Sequence, residues 1–455
     1  MRSKFDARRA ASPSGIFSGD VVKAIANLFW LGLERLTQII VALVTSGVLA
    51  RYFGPEIFGK WQYANTLLLV LAPITWVCGA EILVPTLVRS RDAAAAHRAA
   101  HSYDDSAPLG TILGSAFALR FSVSLAALLC TWIVLSLAPI DRMVAAMLAG
   151  LAATMVFREP FGVVSAWLQS RTYSKPALLA SMGSAVVKAA LVFTLARYAM
   201  SPAGFAWLWA LEAAAVAAAL MAYYFSQARV AQQAAGFAWH VDRALLRRFA
   251  SAGAVFWLGL ICMYLFLKLD RLMLQPRVGF AELGRYAAAQ QLNENWITLS
   301  LMLAQTLAPA FIYRIDAYAR LRRNVWRLMA MTALVMAAGA AVLDLCAPFI
   351  VARVFGPGYL STAVIFRWAV WLSVFAGIEA IGNLVVLKYQ AKYLLLGKWL
   401  GALAVAFVAN LLLIPHFGVY GALGGLACGY SAAIVVNLLF IQARLRGDAE
   451  TMSTR

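Results

Sequence analysis

Apolar runs separated by short polar segments fill almost the whole chain. A helix that crosses a bilayer needs about 20 mostly apolar residues. Stretches that meet this requirement fall at 27–50, 62–87, 110–137, 143–168, 176–196, 204–227, 250–275, 284–312, 327–352, 362–387, 393–414 and 418–442. The pattern predicts an all-α polytopic membrane protein with about twelve transmembrane helices. They group as a tail (1–26), a first lobe of six helices (27–227), a linker (228–249), a second lobe of six (250–442) and a C-terminal tail (443–455).

An internal repeat supports the division. The segment GPEIFGKW, Gly54 to Trp61, returns in altered form 225 residues later. Gly54, Gly59, Lys60, Trp61 and Ala64 align with Gly279, Gly284, Arg285, Tyr286 and Ala289. Each copy follows a span that opens with FWLGL, at 29–33 and 256–260. Each therefore joins the first and second helices of a six-helix lobe. Glycine permits a tight turn, so both glycines are assigned to the turn. The basic residue and the aromatic after it suit a membrane interface and its aromatic belt. GPEIFGKW is not a nucleotide loop: a phosphate loop needs Ser or Thr after the lysine to hold magnesium, and Trp61 stands there.

Composition agrees with the hydropathy pattern. Of 455 residues, 63% are hydrophobic and 13% charged, against about half and a quarter in soluble domains. The net charge of +19 therefore reads as basic cytoplasmic loops rather than as nucleic-acid binding. Lys and Arg fall more than three times as often in one alternating set of loops as in the other. By the positive-inside rule this places both termini in the cytoplasm, the glycine turns on the opposite face, and the N-terminus as a tail rather than a secretory signal. Cys78, Cys130, Cys262, Cys346 and Cys428 are scattered singly and read as neither disulfides nor metal ligands. His97 and His101 have the spacing of a metal pair but no third ligand, and read as solvated loop. No cofactor, metal, nucleotide or catalytic residue is expected.

Four segments carry a family resemblance: LARYFGPEIFGKWQYANTL (49–67), LDRLMLQPRVGFAELGRYAAAQQL (269–292), VFGPGYLSTAVIFRWAV (354–370) and LIPHFGVYGALGGLA (413–427). With these the chain resembles the Wzx-type lipid-linked oligosaccharide flippases, in the polysaccharide transporter branch of the multidrug/oligosaccharidyl-lipid/polysaccharide exporter superfamily. The resemblance implies a two-lobed, twelve-helix transporter in the bacterial inner membrane. Its cargo would be an undecaprenyl-pyrophosphate-linked glycan moved by alternating access, and its partners the bilayer, a polysaccharide polymerase and assembly proteins.

Charges at bilayer depth are costly and usually face a cavity or a partner. The first lobe holds Glu34, Arg35, Arg120, Arg158, Glu159 and Lys188; the second holds Lys268, Asp270, Arg271, Glu294, Arg367 and Glu379. Cations outnumber acids, which predicts a cationic cavity for an anionic cargo, because guanidinium pairs phosphate oxygens two at a time and stays protonated. The candidate cargo residues are Arg35, Arg120, Arg158, Lys188, Lys268, Arg271 and Arg367. Gln291, Glu294, Thr298 and Gln305 share one helical stripe, which adds Gln291 and Thr298 as sugar contacts. Asp270, Glu294 and Glu34 are the candidate ion-coupling carboxylates. The competing reading is local ion pairs that tie helices together. Two other functions stay open: a membrane-embedded polymerase, ligase or glycosyltransferase, for which the outer loops are short, and a cation-coupled multidrug exporter, which calls for an acidic cavity.

Overall fold

The computed structural model describes the backbone of residues 16–100, 108–171, 173, 175–230, 239–313, 315 and 317–453. Side chains are described for the same residues except 16–36, 93–100, 228–230, 300, 303, 305–310, 318 and 445–453. Two long helices, Ile16–Leu71 and Ala254–Ala308, are each interrupted by one glycine: Gly54 at φ 70 and Gly279 at φ 73. Both have ψ near 180°, a backbone region that is essentially closed to other residues. Pro55, just after the first break, suits the opening turn of a helix.

The chain doubles back at both glycines. Ser46 and Gln62 donate to the same Gln291 Oε1, at 2.6 and 3.1 Å, yet on a straight helix they would lie about 24 Å apart. Likewise Tyr286 reaches Asp270 at 2.5 Å across the Gly279 turn. Among the described residues nine helices are long and apolar enough to cross a membrane, or ten if Arg243–Ala252 and Ala254–Leu299, bent by 51°, form one span. Thr37–Asp92 and the bent pair each contain a glycine turn and so make two passes apiece, which recovers the twelve expected. The passes are numbered here as spans 1 to 12 in chain order.

The two turns meet. A methyl group built on Gly59 would stand 1.8 Å from the Phe280 carbonyl oxygen, and one on Gly284 would stand 2.2 Å from that of Pro55. Each glycine thus presses on the residue that follows the other turn's positive-φ glycine. Such reciprocity is what a twofold relation between two lobes produces. Gly54 and Gly279 make the turns, and Gly59 and Gly284 permit the contact; the sequence analysis gave one role to both pairs. Tyr359 strengthens the seam through its hydroxyl to Ala50 O (3.2 Å) and its ring edge-on to Phe58.

One expectation needs correcting. Trp61 and Tyr286 do not join an aromatic belt: they are 5% and 0% exposed, because the close contact of the turns carries them inward. Lys398 lies in the helix Lys392–Phe417 and is 1% exposed, held by acceptors from another helix that no hydropathy run displays. Gly421 and Gly425 let spans 11 and 12 pack closely: a methyl on Gly425 would meet Asn410 Oδ1 at 2.0 Å.

Candidate functional site

Two first-lobe spans are discontinuous. Span 2 leaves its helix at Ala72–Thr75, passes Cys78 at φ 55, and resumes at Ala80. Span 4 breaks between Arg142–Arg158 and Gly162–Ser170, around Pro160. Breaks free backbone carbonyls that must find donors. Arg120 of span 3, 5% exposed, supplies them. Its Nε donates to Cys78 O at 3.1 Å and its Nη1 to Glu159 O at 3.0 Å, while Nη2 also bonds Cys78 O. One guanidinium therefore clamps both breaks and holds Cys78 in a left-handed conformation costly for a residue with a Cβ.

Against these breaks lies a cavity of about 750 Å³. Its walls come from spans 1 and 2 (Gln38, Ser46, Trp61, Gln62, Asn65), the span 4 break (Arg158, Glu159), spans 5 and 6 (Ser184, Lys188, Trp209, Glu212) and the second lobe (Arg271, Gln291, Glu294, Asn295). A second cavity of about 250 Å³ adjoins it and shares Glu159, Gly162 and Ser165. Trp76, at its edge, stands edge-on to Tyr264 of span 7, and Trp257 donates to Pro73 O at 2.7 Å. The lobes thus touch at the span 2 break as well as at the glycine turns.

The charges are arranged otherwise than by simple excess. Lys188 pairs with Glu212 at 3.1 Å and lies over the Trp209 ring; Ser184 also donates to Glu212. Lys268 and Arg271 both pair with Glu294 Oε1, at 2.7 and 2.5 Å. Glu294 keeps 44% of its side chain exposed, on the cavity wall. Among the described lining residues, cations Arg158, Lys188 and Arg271 face acids Glu159, Glu212 and Glu294. The wall is balanced, which corrects the expected cationic excess. The reason is that Arg120 is spent on carbonyls, Lys268 sits behind Glu294, and Arg367 pairs with Asp344 away from the cavity. Arg158 is the exposed cation of the wall with no ion pair among the described residues.

Behind the wall the second lobe holds a sealed polar cluster. Asp270, 1% exposed, accepts from the Tyr286 hydroxyl, which also accepts from Gln290; Asn293 donates to Gln290 in turn. Asp270 Oδ1, Asn293 Oδ1 and Arg271 Nε lack hydrogen-bond partners. Farther on, Lys398 Nζ bonds Glu379 and Asn383, and Asn437 donates to the Glu379 carbonyl. A buried pair of this kind stands only while both partners remain.

Of the sequence candidates, the structure brings Arg158, Lys188, Arg271, Gln291 and Glu294 to one wall. Asp270 and Lys268 lie behind it. Arg120 borders the second cavity alone, and Thr298 is turned to its own helix, bonded to Glu294 O at 2.8 Å. The side chains of Glu34, Arg35 and Gln305 lie outside the described residues. Sequence reasoning passed over Glu212, although it is the sole charge of its span, and the buried Tyr286, Gln290 and Asn293. Among the described residues no three His, Cys, Asp or Glu gather to hold a metal, and no two cysteines are joined.

Residues 24–313 match the family described as polysaccharide biosynthesis protein. No curated protein matches the sequence. Among solved structures, the chain is similar to an inward-facing multidrug resistance MATE family transporter of the MOP superfamily. That match has TM-score 0.71 and 13% identity, over 92% of this chain and 99% of that one. It is similar to the lipid II flippase MurJ in an inward closed conformation, with TM-score 0.64 and 10% identity over 91% and 87%. A Vibrio cholerae MATE transporter, VcmN, matches with TM-score 0.63 and 13% identity over 94% and 98%. At these identities the likeness shows a shared fold.

Proposed function

Because the chain belongs to the polysaccharide biosynthesis protein family, we propose that it is a flippase for a lipid-linked oligosaccharide. It carries an undecaprenyl-pyrophosphate-linked unit across the bacterial inner membrane by alternating access, for surface or exopolysaccharide assembly, with both termini cytoplasmic. The observation that supports this most is the cavity between the lobes, walled by amides, indoles and guanidiniums and closed off where the two glycine turns meet.

Each group has a part in that reading. Arg158, exposed on the wall, meets the pyrophosphate first, with Lys188 and Arg271 beside it. Gln38, Gln62, Asn65, Gln291 and Asn295 offer donors and acceptors to sugar hydroxyls, and Trp61 and Trp209 offer ring faces. Gln291 already ties Ser46 and Gln62 of the first lobe to the second, so a glycan that takes those bonds loosens the lobes. Pyrophosphate at Arg271 competes with Glu294 for the guanidinium. A released carboxylate at membrane depth takes up a proton or sodium at modest cost, so coupling falls to Glu294 and Asp270, with Glu34 third, while Arg35, on the same helix as Gln38, is a cargo residue. The flipped unit then passes to a polymerase and assembly proteins.

A cation-coupled exporter of a cationic molecule is the second reading, favoured by the three acids on the wall. Against it, Glu212 and Glu294 are already neutralised by lysine and arginine. The test is transport by the purified protein in vesicles, offered a fluorescent polyprenyl-pyrophosphate oligosaccharide and, separately, a cationic dye. Movement of the oligosaccharide above that in empty vesicles is expected. Movement of the dye alone would establish the second reading.

A further inference from the structure

The chain enters the second lobe through a short helix, Arg243–Ala252, which bends by 51° at Gly253 into span 7. Asp242 caps it by accepting from Ala244 N at 2.8 Å, and the Asp242 N–H is itself held by Ser115 Oγ at 2.9 Å. Phe249 is 2% exposed and belongs to the first lobe's apolar cluster with Trp167 and Tyr224; Leu245 packs against the same cluster. The apolar side of the helix is therefore spent on protein, and lipid does not cover it.

The other side carries Arg243, Arg247 and Arg248, all exposed and without an ion pair among the described residues. Their spacing puts them on one half of the helix circumference. The same apolar cluster supports Arg171, stacked at 4.6 Å on Trp167. Burial, and then the charge of nearby Arg91, lower the Arg171 pKa from its ordinary value. The acid nearby, Asp92, answers Arg91 at 3.4 Å. Arg171 and the arginines of the short helix are thus carried by one apolar cluster. The helix and Ala254–Leu299 qualify as membrane-crossing only as a pair, bent by 51°, so the arginines at the polar start of that pair lie close to the depth of lipid phosphates. Guanidinium pairs with phosphate through two parallel hydrogen bonds.

We propose that the exposed arginine face of this helix binds the phosphate headgroups of anionic phospholipids. The bound headgroups hold the first lobe's side of the Gly253 bend at the membrane surface while the second lobe moves. Nothing in this depends on the cargo. The test is native mass spectrometry of the full chain in detergent, titrated separately with phosphatidylglycerol and phosphatidylcholine. Three arginines near an anionic surface lead to phosphatidylglycerol binding about tenfold tighter or more. The variant with Arg243→Gln, Arg247→Gln and Arg248→Gln loses most of that preference. A control with Arg320→Gln, Arg322→Gln and Arg323→Gln in the second lobe keeps it. Equal affinity for the two lipids in the unaltered protein, a measurement independent of how any variant folds, would overturn the proposal. So would an undiminished preference in the first variant.

Discussion

At Gly54–Trp61 and Gly279–Tyr286 the backbone is nearly the same: φ of 70 and 73 at the turn, then a glycine pressed against the other turn. The side chains that follow have parted. Lys60 pairs with Asp141 beyond its own turn at 2.9 Å as well as with Glu56 within it at 4.0 Å, whereas Arg285 pairs with Glu282 of its own turn. Trp61 packs on Trp209 at 5.0 Å and lines the cavity. Tyr286, in the equivalent place, faces away from the cavity and holds Asp270. The shared backbone fixes how the lobes meet. The divergence leaves a free guanidinium on the first lobe's part of the cavity wall, while the second lobe, whose Arg271, Gln291 and Glu294 complete that wall, keeps a sealed polar cluster behind it. If the chain is the flippase proposed above, Arg158 of the first lobe holds the cargo's pyrophosphate and the buried cluster of the second lobe responds to it.

The harshest way to break the comparison is to unpair the second lobe. Lys398→Met strands Glu379 in a dry interior, and losing one partner of a buried pair costs about 3–5 kcal/mol. A large fall in Tm in detergent is expected, and adding Glu379→Gln should recover much of it. A neutral single variant would show that the second lobe is not held by its charges.

The shared part of the comparison predicts equal damage at equivalent positions. Gly59→Val and Gly284→Val each drive a side chain into the opposing backbone, and overpacking costs about 1–3 kcal/mol or more. The two should lower Tm alike and weaken transport alike. A tolerated substitution at either position would deny the reciprocal contact.

A smaller effect falls on the divergent part. Tyr286→Phe leaves a buried carboxylate without its nearest donor, which costs about 1–3 kcal/mol. Transport should fall more than cargo binding, measured with labelled lipid-linked glycan.

The smallest effect belongs to the first turn's outward pair. Asp141 caps span 4 by accepting from Met143 N and Val144 N, and Asp141→Ala should cost about 1 kcal/mol. The hydrogen bond from Lys60, ahead of the burial that opposes it, lowers the Asp141 pKa from its ordinary value. A carboxylate lowered in the folded state adds stability above its unfolded pKa of about 3.9, lost as pH falls through the folded value. The Tm gap between parent and variant should therefore hold at neutral pH and narrow below about pH 4.

Much of this was legible in the chain. Hydropathy located the twelve passes, and the 225-residue echo located both glycine turns, because a turn that only glycine can make leaves its mark in any sequence. Charge direction was not legible. Arg120 reads like any cation at membrane depth, but its targets are carbonyls freed by two helix breaks, and apolar runs do not reveal breaks. Lys398 stands inside the apolar run 393–414, and nothing in that run shows that its partners Glu379 and Asn383 come from another helix. A tally of charges cannot say which of them face one another, and so it predicted a cationic wall where the described lining residues are balanced.

The division of labour itself is tested by separating binding from movement in two variants that sit on either side of it. Labelled polyprenyl-pyrophosphate oligosaccharide is titrated onto purified Arg158→Gln and Asp270→Asn proteins of matched Tm, and the same proteins are then assayed for flipping in vesicles. The account predicts that Arg158→Gln weakens binding and flipping together, whereas Asp270→Asn binds normally and flips slowly. Normal binding by Arg158→Gln together with lost binding by Asp270→Asn would contradict it.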